Sequence, residues 1–404
     1  LDETVARRVA FLTDYQNARY AARYRDLVAR ARPVAERELA ELADFARSEL
    51  GIDAIEPWDI PFAAERLRER RFAFSEEDLK PYFPLPAVLE GFFAIVGTLF
   101  GVRFVERKVD LWHADAHYFD VVDADGSVRA GVYLDLYARA GKRGGAWMDV
   151  CRARIRLGGE IARPVAFLVC NFAPPSDGRP ALLGHDDVTT LFHEFGHGLH
   201  HLLTEVDWPS VGGIHGVEWD AVELPSQLME NFCWQPETLR MMSRHVESGA
   251  PLPDELIDKL RASRTFHAGL FLVRQLEFGL FDFRLHLDYD PATGARVMDT
   301  LQGVREEVAV VKPPVWQRFP HSFAHIFAGG YCAGYYSYLW AELLSADAFG
   351  RFEELGLLAP EAGAAFRREI LAVGGSRPAA ESFQAFRGRA PEPEALLRSY
   401  GLAA

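Results

Sequence analysis

The stretch DDVTTLFHEFGHGLHHLLT, residues Asp186–Thr204, places four histidines and a glutamate within one amphipathic pattern. Its apolar residues recur at the spacing of a helix with a broad buried face, and Asp186 or Asp187 can cap the start. Histidine has no special preference for helices. The pattern therefore predicts a helix whose imidazoles serve a chemical purpose.

Two of these histidines have the spacing of metal ligands. His193 and His197 are four residues apart, so they lie on one helix face, roughly 6 Å from each other, and can bind one zinc ion. Glu194 points about 100° away around the axis, where it can reach a water on the metal without binding the metal itself. The motif alone leaves a chance match in a surface helix open, so a third ligand is needed to support the site.

A second helical stretch, WDAVELPSQLMEN, supplies Glu223 as the candidate third ligand. Asp220 and Glu230 flank it and are candidates for orienting the ligand imidazoles. His200 lies about 10 Å beyond His193 along the helix, so the two cannot share a metal. We therefore expect His200 and His201 to be outer-shell or surface residues.

Composition excludes several classes of partner. The chain has 404 residues, of which 49% are apolar and 25% charged, and this predicts a globular protein with a large core. A formal net charge of −14 argues against nucleic acid or an anionic membrane as partner. No apolar run reaches the roughly 18 residues of a spanning helix. The four cysteines have no CxxC spacing, which favours a reducing cytoplasm over a disulfide-rich secreted fold.

The periodicity predicts a mainly α-helical fold with a small antiparallel β-sheet, an α+β class. Short β-prone runs fall between about residues 104 and 172, where HYFDVV and VRAGVYLDLYA flank the turn DADGS. We therefore divide the chain into a helical region 1–103, a β-sheet region 104–185 flanking a cleft, and a helical catalytic region 186–404. The chain begins at Leu1 without a methionine or a signal pattern, and we expect it to be the later part of a longer polypeptide.

Two further stretches allow both a functional and a structural interpretation. In HIFAGGYCAGYYSY, residues 325–338, tyrosines at helical spacing are typical of core packing, but the neighbouring glycines suit a loop that closes over a substrate. RGGAW, residues 143–147, is consistent either with close approach of a peptide backbone to an edge strand or with a simple turn.

The motif LFHEFGHGLHH, followed by VELPSQ, resembles the thimet oligopeptidase family of zinc metallopeptidases. The resemblance extends in the same order over essentially the whole chain, through YLDLYARAGKRGGAWMD, RQLEFGLFDFRLH, FPHSFAHIFAGGYCAGYYSYLWAE and FRGRAPEPEALLRSYGL. It implies a catalytic domain of the zincin type, with one Zn²⁺ per chain held by His193, His197 and Glu223.

The resemblance also implies the roles of the remaining site residues. Glu194 would be the catalytic carboxylate, and Tyr331 and Tyr338 would donate hydrogen bonds to the carbonyl oxygen of the scissile bond. Substrate contacts are implied for His325, Tyr335, Gly329 and Gly330. Together these roles predict a zinc-dependent endopeptidase in which a glutamate general base acts on a zinc-activated water.

The expected substrates are short unstructured peptides, including cleaved signal peptides, and the expected state is a cytoplasmic monomer with no nucleic acid or membrane partner. Members of this family usually carry an additional N-terminal helical region that forms one wall of a deep channel. The resemblance starts after that region, so we expect it to be absent here. The residues leave two alternatives open: a dipeptidyl carboxypeptidase, and a peptide-binding protein without catalysis.

Overall fold

A computed structural model describes residues 3–176 and 178–402, with side chains from Tyr24 onward. The chain folds into two compact units, each built from separate stretches of sequence. Unit 1 comprises the chain up to Ala73, Ala262–Trp340 and the chain from Leu397, and unit 2 comprises Phe74–Arg261 and Ala341–Leu396. In the described part of the chain, no helix combines the length and apolar character needed to cross a membrane.

Helices make up most of the described residues. They are α1 (Glu3–Leu50), α2 (Ile60–Phe72), α3 (Glu76–Leu79), α4 (Leu85–Phe100), α5 (His185–Leu202), α6 (Leu224–Glu230), α7 (Pro236–Met242), α8 (Asp254–Ser263), α9 (Ala268–Leu287), α10 (Val297–Val308), α11 (Ala324–Phe327), α12 (Ser337–Leu355), α13 (Pro360–Phe366), α14 (Ala379–Arg387) and α15 (Glu394–Ser399). The helix predicted from the four histidines is therefore present as α5.

The strands lie together in unit 2. They are β1 (Val102–Glu106), β2 (His117–Asp123), β3 (Val128–Tyr137), β4 (Trp147–Arg152), β5 (Ile155–Leu157), β6 (Glu160–Ala162) and β7 (Val165–Phe172). Five of them form one sheet in the order β1-β2-β3-β7-β4, and β5 pairs with β6 as a separate hairpin. The predicted turn DADGS joins β2 to β3, with Gly126 at φ +86° and its N–H bonded to the Asp123 carbonyl.

The mainly α fold with a small sheet is confirmed, but the prediction that the sheet is antiparallel is wrong for one strand pair. Strand β7 runs parallel to β3, with Leu134 opposite Leu168, while its other neighbour β4 is antiparallel. The chain leaves β3, forms β4, and returns to insert β7 between them. Local alternation of apolar residues reports which face is buried and carries no information about this order. β4 is left as an edge strand of the sheet.

The core of unit 2 forms where α4 and α5 pack beside the sheet. The ring centroids of Phe92 on α4 and Phe195 on α5 lie 4.2 Å apart at an interplanar angle of 32°, and Phe104 of β1 joins the same aromatic group. α4 ends at Gly101, whose φ of +69° is the left-handed conformation of a helix C-cap. This packing fixes the buried side of α5 and so determines which of its residues face outward.

The core of unit 1 forms around α1, α9 and α10. The Glu38 carboxylate of α1 accepts hydrogen bonds from the backbone N–H groups of Gly269 and Leu270 at the start of α9. Burial raises the pKa of Glu38, while these two N–H groups oppose that rise. Further along α9, the buried Glu277 carboxylate bonds Arg305 of α10 at 2.9 Å. Buried charges in this unit are thus paired across helices.

We predict that Gly91→Ala destabilises the fold. A Cβ atom at this position of α4 would lie 2.5 Å from the Met242 Cα atom of α7 and 2.7 Å from the Met241 carbonyl oxygen, so the backbones must separate. Such overpacking costs about 1–3 kcal/mol, which thermal or urea unfolding can measure. Gly303→Ala is the control, because its Cβ would meet open space and alanine is the better helix former. Equal stability of the two variants would contradict the packing argument.

Candidate active site

Helix α5 presents two imidazoles on one face. The ring centroids of His193 and His197 lie 4.9 Å apart, as expected for residues one turn apart. The helix begins at His185, and the Asp187 carboxylate accepts a hydrogen bond from the Gly184 N–H at 3.0 Å. Because the apolar residues of α5 are buried, both imidazoles point away from the core of unit 2.

A glycine between the two histidines lets α6 approach α5 closely. A Cβ atom on Gly196 would lie only 2.4 Å from the Ser226 Cα atom and 2.5 Å from the Pro225 carbonyl oxygen. No other residue could occupy this position without moving the backbone of α6. Glu223 immediately precedes α6, so this approach brings its carboxylate to the imidazole-bearing face of α5.

The three side chains converge through single atoms. The Glu223 Oε2 atom lies 3.0 Å from His197 Nε2 and 3.3 Å from His193 Nε2. All three candidate ligand atoms lie within 4.8 Å of one another, and Glu223 is only 3% exposed. The structure thus brings together, in unit 2, the three residues that the sequence nominates as ligands.

Two further side chains hold this group in place. Glu230 Oε1 lies 2.6 Å from His193 Nδ1. Because an ionised carboxylate can only accept hydrogen bonds, Nδ1 is the donor of this pair. The other ring nitrogen, Nε2, faces Glu223. Glu230 therefore does what an orienting carboxylate does in metal sites. The Ser226 hydroxyl donates to Glu223 Oε2 at 3.0 Å. The sequence analysis missed Ser226, although its position three residues after Glu223 was a usable signal.

The charges around these atoms favour a bound cation. Burial disfavours the imidazolium form of His193, but the carboxylates of Glu223 and Glu230 outweigh it and raise the pKa of His193 well above its ordinary value. Burial likewise opposes ionisation of Glu223, yet His197 and His193 hold the pKa of its carboxyl well below the usual range. Two imidazole nitrogens and one carboxylate oxygen are also the donors of a catalytic zinc site. The donor set therefore fits a divalent metal.

Glu194 has different surroundings from Glu223. It is buried at 7% exposure, and the backbone N–H of Met148, on the edge strand β4, favours its ionised form. Burial raises the pKa of Glu194, against the lowering effect of the two neighbouring imidazoles. A raised pKa suits a carboxylate that must take up a proton near neutral pH. Met148 was not foreseen, because every residue except proline offers the same backbone N–H.

His200 and His201 are both buried, at 2% and 0% exposure, so neither is a surface residue. Burial lowers the pKa of His200 to about 3 and also lowers that of His201. The His201 Nε2 atom lies 3.0 Å from the Arg152 carbonyl oxygen, which fixes its ring against β4. Both imidazoles are therefore neutral near pH 7 and add no charge to the site.

Asp220 is half-buried in the turn before Glu223. Burial of the Glu218 carboxyl raises its pKa, and the negative charge of Asp220 raises it further. Of the two predicted orienting carboxylates, Glu230 has the measured contact with a candidate ligand. The Nδ1 atom of the second imidazole, His197, is buried without a hydrogen-bond partner among the described residues. The Asp220 carboxylate thus acts on Glu218 by like-charge repulsion, and its orienting role at the imidazoles stays a prediction.

The tyrosine-rich segment belongs to unit 1. Tyr331 and Tyr338 stack with ring centroids 4.7 Å apart and an interplanar angle of 18°. The exposed His325 lies 6.2 Å from the Tyr331 ring and 6.4 Å from the Tyr338 ring. Gly329 and Gly330 are exposed in the turn after α11, and Gly330 has a φ of +82° that requires glycine.

The other two tyrosines of the segment pack inward. Tyr335 is 9% exposed, lies among the phenylalanines of the unit 1 core, and donates its hydroxyl to Gln275 Oε1 at 3.0 Å. Burial raises the pKa of Tyr335 to about 12. Tyr336 is 6% exposed and stacks on Phe283 at 5.2 Å. The segment therefore exposes Tyr331 and Tyr338 more than their neighbours, with His325 beside them.

A helix bearing His-Glu-x-x-His, with a glutamate from the next helix closing the group, is the arrangement of a metallopeptidase. The model of peptidase family M3 matches residues 3–402, and the chain belongs to this family. Oligopeptidase A of Escherichia coli (strain K12) is 53% identical over 379 residues, covering 93% of this chain and 56% of that protein. The chain thus spans little more than half the length of the curated relatives it matches.

Other relatives extend this comparison. A probable cytosolic oligopeptidase A of Arabidopsis thaliana is 44% identical, covering 92% of this chain and 55% of that protein. The dipeptidyl carboxypeptidase of Escherichia coli (strain K12) is 38% identical, covering 94% and 56%. Among solved structures, one named as an oligoendopeptidase F matches with a TM-score of 0.55 at 19% identity, covering 96% of this chain and 57% of that one. At that identity the structural match shows a shared fold.

We predict that Gly196→Ala weakens metal binding. The added methyl group pushes α6 away from α5 and moves Glu223 from the two imidazoles. The affinity for Zn²⁺, measured by competition with a chelator, should fall on the order of tenfold or more, the effect of disturbing groups that orient metal ligands.

Gly198→Ala is the matched control, since its Cβ would meet only the Leu168 side chain, at 3.3 Å. Its Zn²⁺ affinity should stay close to that of the parent chain. Circular dichroism and thermal unfolding establish that both variants fold. A folded Gly196→Ala chain with the parent affinity would contradict the role given to this close approach.

Proposed function

We propose that this chain is the catalytic portion of a zinc-dependent metalloendopeptidase that hydrolyses short peptides. The observation that carries the proposal is the convergence of His193, His197 and Glu223 beside a buried carboxylate, Glu194, that is not part of their group. This separation of metal donors from a proton acceptor is the division of labour that peptide hydrolysis requires. Membership of peptidase family M3 supports the same reaction class.

The donor set favours zinc among the divalent metals. Imidazole nitrogens suit zinc well, whereas magnesium and calcium prefer sites made entirely of oxygen donors. His193, His197 and Glu223 would hold one ion per chain. A zinc ion bound there supplies a Lewis acid that lowers the pKa of a water molecule and polarises the peptide carbonyl.

The remaining chemistry belongs to the side chains. Glu194 takes the proton of the attacking water and passes it to the leaving amine, a transfer favoured by the raised pKa that burial gives its carboxyl. Tyr331 and Tyr338 donate their hydroxyls to the oxygen of the scissile carbonyl as negative charge develops on it. His325, which lies beside both rings, contacts the substrate, as do the exposed Gly329 and Gly330. Tyr335 contacts it only through the 9% of its surface that the core of unit 1 leaves exposed.

The sheet offers a means of holding an extended peptide. In the described part of the chain β4 pairs with β7 alone, and the backbone N–H of its residue Met148 favours the ionised form of Glu194. A peptide hydrogen-bonded along the free edge of β4 would be held in register with the catalytic carboxylate. The RGGAW segment leads into this strand, and Asn171 holds its turn by donating to the carbonyl oxygens of Arg143 and Gly145.

The proposed substrates are short unstructured peptides, including cleaved signal peptides, acted on by a cytoplasmic monomer. Relatives named oligopeptidase A support a peptide substrate, and one of them is named as cytosolic while another is named as chloroplastic or mitochondrial.

A fluorogenic, internally quenched peptide blocked at both ends tests endopeptidase action. An endopeptidase cleaves it; a dipeptidyl carboxypeptidase leaves it intact but cleaves the same peptide with a free C-terminus; and a binding protein cleaves neither.

We predict that Glu194→Gln retains zinc and loses turnover, because Glu194 carries the proton and does not bind the metal. His193→Ala, His197→Ala and Glu223→Ala should lose the metal itself, and a chelator should inhibit the parent chain. Metal content measured by elemental analysis, together with cleavage of the blocked peptide, separates the two classes of variant. Normal cleavage by Glu194→Gln with stoichiometric zinc would refute the assignment of the base.

We predict that Tyr338→Phe lowers kcat and kcat/KM together, by on the order of a hundredfold, with little change in KM. The hydroxyl is needed only when charge develops on the substrate oxygen, so its loss leaves substrate binding intact. Tyr336→Phe is the matched control, because Tyr336 packs against Phe283. Steady-state kinetics and thermal unfolding of both variants decide the matter, and equal kinetics for the two would show that Tyr338 is a packing residue.

A further inference from the structure

One fully buried carboxylate lies directly beneath the tyrosine-rich segment. Asp282 of α9 is 0% exposed, and its two oxygens accept hydrogen bonds from three consecutive backbone N–H groups: Ala333 at 2.9 Å, Gly334 at 2.8 Å and Tyr335 at 2.9 Å. The His286 Nδ1 atom lies 3.0 Å from the same carboxylate. A buried charge is tolerated only when it is satisfied in this way.

These contacts hold a strained turn. Ala333 has a φ of +50°, a left-handed conformation that is strained for a residue with a side chain. Such a conformation persists when its surroundings enforce it. Three N–H groups converging on one anion form a nest, and here the anion is part of the same protein. Asp282 is therefore the group that enforces the turn at residues 333–335.

The turn lies between the two tyrosines that stack on each other. Tyr331 precedes it by two residues, and Tyr338 follows it in the first turn of α12. The Gly334 N–H also bonds the Tyr331 carbonyl at 2.9 Å, so the backbone carrying Tyr331 is tied to the same turn. A shift of the turn would therefore change the separation and direction of both phenol rings.

We propose that Asp282 is a positioning residue for peptide hydrolysis: by anchoring the turn at residues 333–335, it holds Tyr331 and Tyr338 in the arrangement in which they donate to the substrate. This inference rests on the proposed function of the two tyrosines. His286 supports it from the far side, because its Nδ1 contacts both the backbone and the side-chain oxygens of Asp282. Burial opposes the charged form of His286, but the Asp282 carboxylate prevails and raises the pKa of the imidazole.

Asp282→Asn tests the inference with nearly no change in shape. The asparagine amide keeps one acceptor oxygen but places an NH₂ group against backbone N–H donors. The nest therefore loses at least one hydrogen bond and the negative charge of the carboxylate. In the full chain, hydrogen exchange of the amides at 333–335 should become on the order of tenfold faster, the effect of losing a bond to a charged acceptor. This readout does not depend on catalysis.

The kinetic readout separates positioning from general stability. Asp282→Asn should lower kcat by on the order of tenfold or more with little change in KM, as Tyr338→Phe does. The loss in the double variant should be smaller than the product of the two single losses, because both changes remove the contribution of Tyr338. A purely structural role would instead make the two losses multiply.

Glu277→Gln is the matched control. Glu277 is a buried carboxylate on the same helix, 1% exposed, but it bonds Arg305 and Arg274 and does not contact the turn. We expect it to lower the unfolding temperature while leaving kcat and the exchange at 333–335 unchanged. If Asp282→Asn fails to fold, His286→Gln retains the carboxylate, removes its support, and should shift both readouts in the same direction.

The outcomes distinguish this inference from the proposed function. Unchanged amide exchange at 333–335 in Asp282→Asn overturns the anchoring role whether or not the chain cleaves peptides. Faster exchange with normal kcat, in a chain where Tyr338→Phe is impaired, overturns the positioning role and leaves the proposed function standing. Normal turnover in Tyr338→Phe refutes the catalytic role of that tyrosine, and the positioning role with it.

Discussion

The close approach of α6 to α5 at Gly196 is the constraint on which the candidate site depends. Only a hydrogen side chain lets the Ser226 backbone pass within contact distance of α5, and that contact places Glu223 against His193 and His197. The imidazoles alone bring no negative charge to the group. The Glu223 carboxylate adds a buried negative charge, and the group then favours a cation.

Three buried carboxylates in this protein show how surroundings decide the use of one chemical group. Glu223 is compensated mainly by imidazoles, which can exchange a proton for a metal ion, so its environment suits metal binding. Asp282 is compensated mainly by backbone N–H groups, which cannot leave, so its environment suits a permanent anchor. Burial raises the pKa of Glu194, which suits the proton transfer proposed for it.

The two units contribute different kinds of order. In unit 2, a helix packed on aromatic residues and a sheet holds the His/His/Glu group, so its geometry derives from regular secondary structure. In unit 1, the stacked Tyr331 and Tyr338 lie on either side of a turn that one carboxylate holds. The candidate metal ligands of unit 2 thus lie on or beside regular helices, whereas Tyr331 and Tyr338 of unit 1 flank an anchored turn.

The sequence by itself determined the local part of this protein: the α5 helix, the shared face of His193 and His197, and the separate direction of Glu194 all follow from helical periodicity. The turn DADGS follows from local chemistry in the same way. Tertiary structure alone decided the parallel pairing of β3 with β7, which of the two imidazoles Glu230 contacts, and the anchoring of residues 333–335 by Asp282. Periodicity records only which face of one element is buried. Each of these three features instead joins groups that are far apart in the chain, and they come into contact only when every intervening element has packed.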